Sequence, residues 1–186
     1  MTTNDTKILI VDDEQPIRKF LRVGLAAEGF ATIEARNARE AGELLTAEKP
    51  DIVLLDLGLP DRSGHEVLES WRAALIKTPV VILSSRTDEA GIVKALEMGA
   101  DDYMTKPFSM RELAARLRVS LRHRLARQGE KPLFQTGDLT VDLVRRIVRV
   151  AGEEVKLSPK EYDLLRILVS HAGKVITHQH LLRAAD

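Results

Sequence analysis

The sequence contains no cysteine among its 186 residues, which excludes a disulfide framework, a thiolate zinc site and a thiol nucleophile. No apolar run approaches the ~20 residues of a membrane-spanning helix. No leader segment is expected either, because the opening MTTNDTK is polar and runs straight into a strand-like stretch, and a cytosolic protein is the expectation. Neither charge is in excess, since 28 Lys and Arg face 28 Asp and Glu. That removes the strongly basic balance of a nucleic-acid coat and the acidic balance of a solvating tail. What is present is an ordinary 44% of hydrophobic residues, enough for a packed core in one large or two small domains.

From Lys7 to Leu121 short aliphatic runs alternate with segments of helical period, the pattern of a parallel sheet covered on both faces. Strands are expected at Ile8 to Val11, Ala31 to Glu34, Ile52 to Leu55 and Val80 to Leu83, with a weaker one at Tyr103 to Met104. A first helix carries Ile17, Phe20, Leu21 and Leu25, with Pro16 in its first turn and Gly29 as its stop. Further helices are expected at Ala38 to Ala47, His65 to Ala74, Asp88 to Glu97 and Met110 to Arg124. Five strand–helix units make a doubly wound α/β domain over residues 1–124.

Residues 125–132 are charged and contain Gly129 and Pro132, which marks a linker. Beyond it the pattern becomes antiparallel, with strands at Leu139 to Val141, Arg146 to Val150 and Glu154 to Leu157. Ser158, Pro159 and Glu161 then form a capping-box start, Leu164, Leu165 and Leu168 fill a helix face, and Gly173 supplies the stop. Thr177 is placed to cap a last helix from His178.

In an open α/β sheet, ligands bind beyond the carboxyl ends of the strands. Acidic residues collect there: Asp12 and Asp13 follow ILIV, and Asp56 follows IVLL. Three adjoining carboxylates repel unless a cation intervenes, and hard oxygen donors suit Mg2+. Ser84 ends the fourth strand and Lys106 follows the fifth, adding a hydroxyl and an ammonium to the same edge. Carboxylates, a cation, a hydroxyl and an ammonium are the parts that position a phosphoryl group and neutralise its oxygens during transfer. Asp56, on the central strand, is the candidate nucleophile. His65 reads as a solvated or capping residue, Trp71 as packing, and the five histidines share no metal spacing.

ILIVDDE at 8–14, VLLDLGLPDRSG at 53–64, VVILSSRTDE at 80–89 and GADDYMTKPFS at 99–109 resemble the two-component response regulators of OmpR and PhoB type. LDLGLPD and RELAARLRVSLR are most similar to the branch that controls potassium-uptake operons. The resemblance implies a five-stranded flavodoxin-like receiver followed by a winged-helix domain, incomplete here over residues 133–186 because the recognition helix and wing are missing. Asp56 would accept phosphate from a sensor histidine kinase. Asp13, Asp56 and the carbonyl of Gly58 would bind Mg2+, with Asp12 helping. Lys106 would contact the phosphoryl group, the peptide before Pro107 would be cis, and Ser84 and Tyr103 would form the switch. Two activated receivers would pair through the fourth helix, fifth strand and fifth helix, using Asp101, Asp102, Glu112, Arg116 and Arg122, with Asp102–Arg116 and Asp101–Arg122 as intermolecular pairs. One departure is Ile92, where many relatives place a basic partner for Glu112; Lys94 is the available substitute. Promoter DNA would be the partner of the intact protein, and this chain would bind it weakly or not at all.

Two other classes share parts of this pattern. A haloacid-dehalogenase-like phosphatase also begins with an Asp after a strand, but needs a second acid two residues on, and here that residue is Gly58. A flavodoxin-like cofactor binder shares only the fold, and no Gly-rich phosphate loop follows Val11. The resemblance implies a phosphoacceptor with at most self-phosphorylation and self-dephosphorylation, not an enzyme acting on other molecules.

Overall fold

A computed structural model describes residues 5–185. The chain divides into two compact units, Thr6–Arg124 and the part from Leu125 onward.

In the first unit, β1 (Lys7–Val11), β2 (Ala31–Ala35), β3 (Ile52–Leu55), β4 (Val80–Ser84) and β5 (Asp102–Thr105) form a parallel sheet in the order β2-β1-β3-β4-β5. Strand order reverses between β1 and β3, so a crevice opens at their carboxyl ends. Every residue of β3 and β4 is buried, as their unbroken aliphatic runs require of strands covered on both faces. Leu9, Val11, Val53 and Leu55 pack on one face with Ala41 and Leu45 of α2 (Ala38–Glu48), Val67, Leu68 and Trp71 of α3 (Gly64–Ala73), and Ala95 of α4 (Glu89–Glu97). Their alternate neighbours Ile8, Ile10, Ile52 and Leu54 are buried on the opposite face. There α1 (Gln15–Ala27) and α5 (Met110–Arg127) bury Leu21, Leu25, Leu113 and Leu117.

Side-chain caps fix where the helices start. Asn37 accepts from the Glu40 N–H, Asp88 from the Gly91 N–H, and Ser63 with Glu66 closes a capping box at α3. Gly64 sits against the end of β3. A Cβ there would lie 2.5 Å from the Asp56 carbonyl oxygen and 2.8 Å from the Leu57 Cα, so only glycine lets α3 dock on the backbone that carries Asp56.

In the second unit, β6 (Leu133–Thr136), β7 (Leu139–Asp142), β8 (Ile147–Val150) and β9 (Glu153–Val155) form an antiparallel meander. Helices α6 (Pro159–Ser170) and α7 (His178–Ala185) follow. Val141, Leu143, Val148 and Tyr162 make its core. Three expectations are adjusted. Strand β6 falls outside the expected strands because its side chains are mostly exposed, leaving little hydrophobic alternation; the two-residue Gly137–Asp138 turn, with Gly137 at φ 52°, is the signal that marks it. Helix α5 runs to Arg127, three residues into the expected linker. Tyr162 and Ile167, not Leu168, are the buried side chains of α6, and Leu168 is 51% exposed.

Trp71 is the only tryptophan and lies in the first unit, so its fluorescence reports that unit alone. Leu55→Ala, which empties a fully buried site, should lower the stability seen by Trp71 during urea unfolding by about 2–5 kcal/mol. Val148→Ala in the second core should leave the Trp71 transition in place.

Candidate functional site

The register of the sheet sets the carboxyl ends of β1 and β3 level, because Val11 pairs with Leu55, and those of β4 and β5 level two residues further on, because Leu55 pairs with Ile82 and Ser84 with Thr105. The residues that follow these ends therefore converge. Asp12, Asp13 and Asp56 each offer a carboxylate oxygen within 4.8 Å of the others. Asp12 and Asp56 are 2% and 8% exposed, whereas Asp13 is open to solvent.

Lys106 reaches in from β5. Its Nζ donates to Asp12 Oδ2 at 2.7 Å and lies 3.6 Å from Asp56 Oδ1. The other Asp12 oxygen accepts from the Glu14 N–H at 2.9 Å. Asp56 Oδ2 accepts from the Gly58 N–H at 3.3 Å. Burial pushes the Asp56 carboxyl above its ordinary range, opposed by the Lys106 charge and reinforced by Asp12. For Lys106, burial favours the neutral amine, but the Asp12 hydrogen bond and the charges of Asp12, Asp56 and Glu14 overcome it and raise its proton affinity. The ammonium is thus fixed as a cation among acids.

These groups border an open cavity of about 410 Å³, lined by Asp13, Glu14, Asp56, Leu57, Gly58, Ser84, Ser85, Arg86 and Lys106. The Lys106–Pro107 peptide is cis. Ser84 is buried, and its Oγ accepts from the Arg86 N–H at 3.2 Å. Tyr103 is also buried, and its hydroxyl donates to the Arg86 carbonyl at 3.0 Å. One residue, Arg86, thereby ties the two expected switch side chains together. Sequence reasoning missed it, along with the Glu14 N–H on Asp12, because these are main-chain groups that any residue type carries.

The donor set fits a hard divalent ion: three carboxylates, one of them solvent-facing, with no soft ligand among the lining residues. Asp12 already has both oxygens engaged, so Asp13 and Asp56 are the freer donors.

Four of the residues expected at a dimer face, Asp101, Asp102, Glu112 and Arg116, have partners within the chain. Arg116 bonds Asp102 at 3.0 Å and Glu112 at 3.0 Å, so Asp102–Arg116 forms inside one molecule. Glu112, lacking a basic neighbour at Ile92, uses Arg116 instead. Asp101 turns inward, accepting from Arg72 at 3.2 Å and from the Val80 N–H at 2.8 Å. Arg122 is exposed.

With this geometry in place, comparison with known proteins is decisive. The family described as the response regulator receiver domain matches residues 8–118, and that described as transcriptional regulatory protein, C terminal, matches residues 152–185. The chain belongs to the response regulators. The KDP operon transcriptional regulatory protein KdpE of Escherichia coli is 45% identical over 180 residues, spanning 95% of this chain and 78% of the relative. KdpE of Mycobacterium tuberculosis is 42% identical, over 96% of this chain and 79% of its own length. Among solved structures, the Thermotoga maritima OmpR/PhoB homologue DrrB matches with a TM-score of 0.54 and 33% identity, over 95% of this chain and 78% of that one. The activated receiver domain of Klebsiella pneumoniae RstA gives 0.60 and 33% identity, over 62% of this chain and 98% of that one. The protein is a phosphorylation-activated response regulator that controls transcription, and receivers of this family bind Mg2+ at such an acidic cluster. Nothing in these likenesses supports the phosphatase reading. Among the described residues no helix is long and apolar enough to cross a membrane.

Because folding raises the proton affinity of Asp56, its ionisation opposes folding. Its favourable contribution is complete below the unfolded carboxylate range and is lost as pH rises through the higher folded value. Asp56→Asn should therefore raise the thermal midpoint near neutral pH, measured by calorimetry without divalent ions, with the gain vanishing in acid below pH about 4. Mg2+ should stabilise the wild-type protein more than the variant.

Proposed function

We propose that Asp56 is the phosphoacceptor of this response regulator and takes its phosphoryl group from a phosphohistidine on a sensor histidine kinase. The observation that carries this reading is the convergence of Asp56 with Asp12, Asp13 and Lys106 around one cavity. Asp56 Oδ supplies the electron pair that bonds to phosphorus as the phosphorus–nitrogen bond to the histidine breaks. Asp13, Asp56 and the Gly58 carbonyl, helped by Asp12, hold Mg2+, which supplies positive charge against the phosphoryl oxygens when bound. Lys106 shifts from the carboxylates to a phosphoryl oxygen, a charge-assisted contact stronger than a neutral one. Ser84 leaves the Arg86 N–H for another phosphoryl oxygen, and the Arg86 peptide carries that movement to Tyr103.

The moved surface is α4, β5 and α5, through which two phosphorylated chains pair. Asp102 and Arg116 exchange their internal bond for one between copies, joined by Glu112 and Arg122, while Asp101 braces the β4–β5 edge from within. The second unit, matched over residues 152–185 by the transcriptional regulatory C-terminal family, belongs to the part of such regulators that contacts promoter DNA. Likeness to the KdpE proteins supports potassium-transport genes as the target and the cytoplasm as the setting.

Incubation with acetyl phosphate and Mg2+ should add one phosphoryl group by intact mass and convert the chain to a dimer by size-exclusion chromatography. Asp56→Ala should abolish both changes. Retained phosphorylation in that variant would overturn the assignment.

A further inference from the structure

The second unit carries a histidine pair that the phosphorylation chemistry does not use. His171 caps the C-terminus of α6 and His180 lies in the first turn of α7, with ring centroids 5.3 Å apart and ring planes at 67°. His171 Nδ1 lies 2.9 Å from the Ile167 carbonyl oxygen and 3.0 Å from Ser170 Oγ. The Ser170 hydroxyl itself donates to that carbonyl at 2.9 Å. A carbonyl only accepts, so Nδ1 carries the proton and the His171 lone pair is on Nε2. A ring nitrogen donating to a backbone carbonyl is the arrangement that orients metal-binding imidazoles. No protein group bonds either ring nitrogen of His180 among the described residues, and His180 is exposed.

The ring separation itself is informative. Two imidazoles bound to one ion through nitrogens at about 2.0–2.1 Å and held at a tetrahedral angle have centroids about 5.2 Å apart, close to the 5.3 Å observed. We propose that His171 and His180 bind a borderline divalent metal ion of the zinc class between α6 and α7, with water completing the coordination. Imidazole ligands select such ions over the hard Mg2+ suited to the carboxylate cluster. His178 is two residues from His180 on the same helix and faces elsewhere, because i and i+2 positions do not share a helix face. The bound ion clips the start of α7 to the end of α6.

The test uses the full chain with labelled histidines, in excess Mg2+ so that the acidic cluster is filled, titrated with Zn2+ and followed by NMR of the imidazole ring signals. The His171 and His180 signals should move together and saturate at one equivalent, while His65, His123 and His178 stay in place. His180→Gln should weaken the apparent affinity about tenfold or more, and His178→Gln should leave it unchanged. Unmoved His171 and His180 signals in excess Zn2+, or wild-type affinity in His180→Gln, would overturn the proposal.

Discussion

A single ammonium holds the functional edge of this protein together. Asp12 and Asp56 are both buried, with carboxylate oxygens within 4.8 Å; at an effective dielectric of ~20 two such charges repel by about 3 kcal/mol. Lys106, bonded to Asp12 and close to Asp56, outweighs that repulsion at Asp56, whose raised proton affinity comes first from burial, yet three carboxylates still face one ammonium. Unphosphorylated, the site thus retains excess negative charge. That is the condition in which a divalent ion is welcome and in which an arriving phosphoryl group finds a fixed cation in place.

The parallel sheet serves this contact. Its parallel order delivers four strand ends to one edge, and its core of buried aliphatic side chains makes the spacing stiff. Gly64 lets α3 press on the main chain beside Asp56. On the other side of the cavity, Arg86 accepts from Tyr103 and donates to Ser84 through its own peptide groups. On the proposed switch, a Ser84 hydroxyl drawn toward Asp56 would release a main-chain donor whose neighbouring carbonyl anchors the Tyr103 ring, a short route from charge to surface built from two hydrogen bonds.

Much of this was legible in the sequence. Strand runs such as IVLL and VVILS have no reading other than buried parallel strands once helices of clear period separate them. The capping box at Ser158 marks one helix start to the residue, whereas α3 begins at Gly64 behind an unread capping box at Ser63, one residue before the expected His65. Asp12, Asp13, Asp56, Ser84 and Lys106 could be gathered because doubly wound topology sends every strand end to the same edge. What stayed hidden was carried by main-chain geometry or by long-range choice of partner. Arg86 matters here for its N–H and carbonyl, groups that residue identity does not encode. Asp101 reads as a surface acid, but the fold turns it toward Arg72, 29 residues away in the chain. Strand β6 is an exposed edge, and exposure erases the alternation by which strands are recognised.

Everything proposed for the switch rests on phosphoryl transfer to the Asp56 carboxylate. Borohydride reduction of the phosphorylated protein, followed by peptide mass mapping, tests it most directly, since an acyl phosphate is reduced to the alcohol while an unmodified carboxylate is not. Homoserine should replace aspartate at position 56 and nowhere else. Homoserine at position 12 or 13, or a phosphoryl group that resists reduction on Ser84, would contradict it.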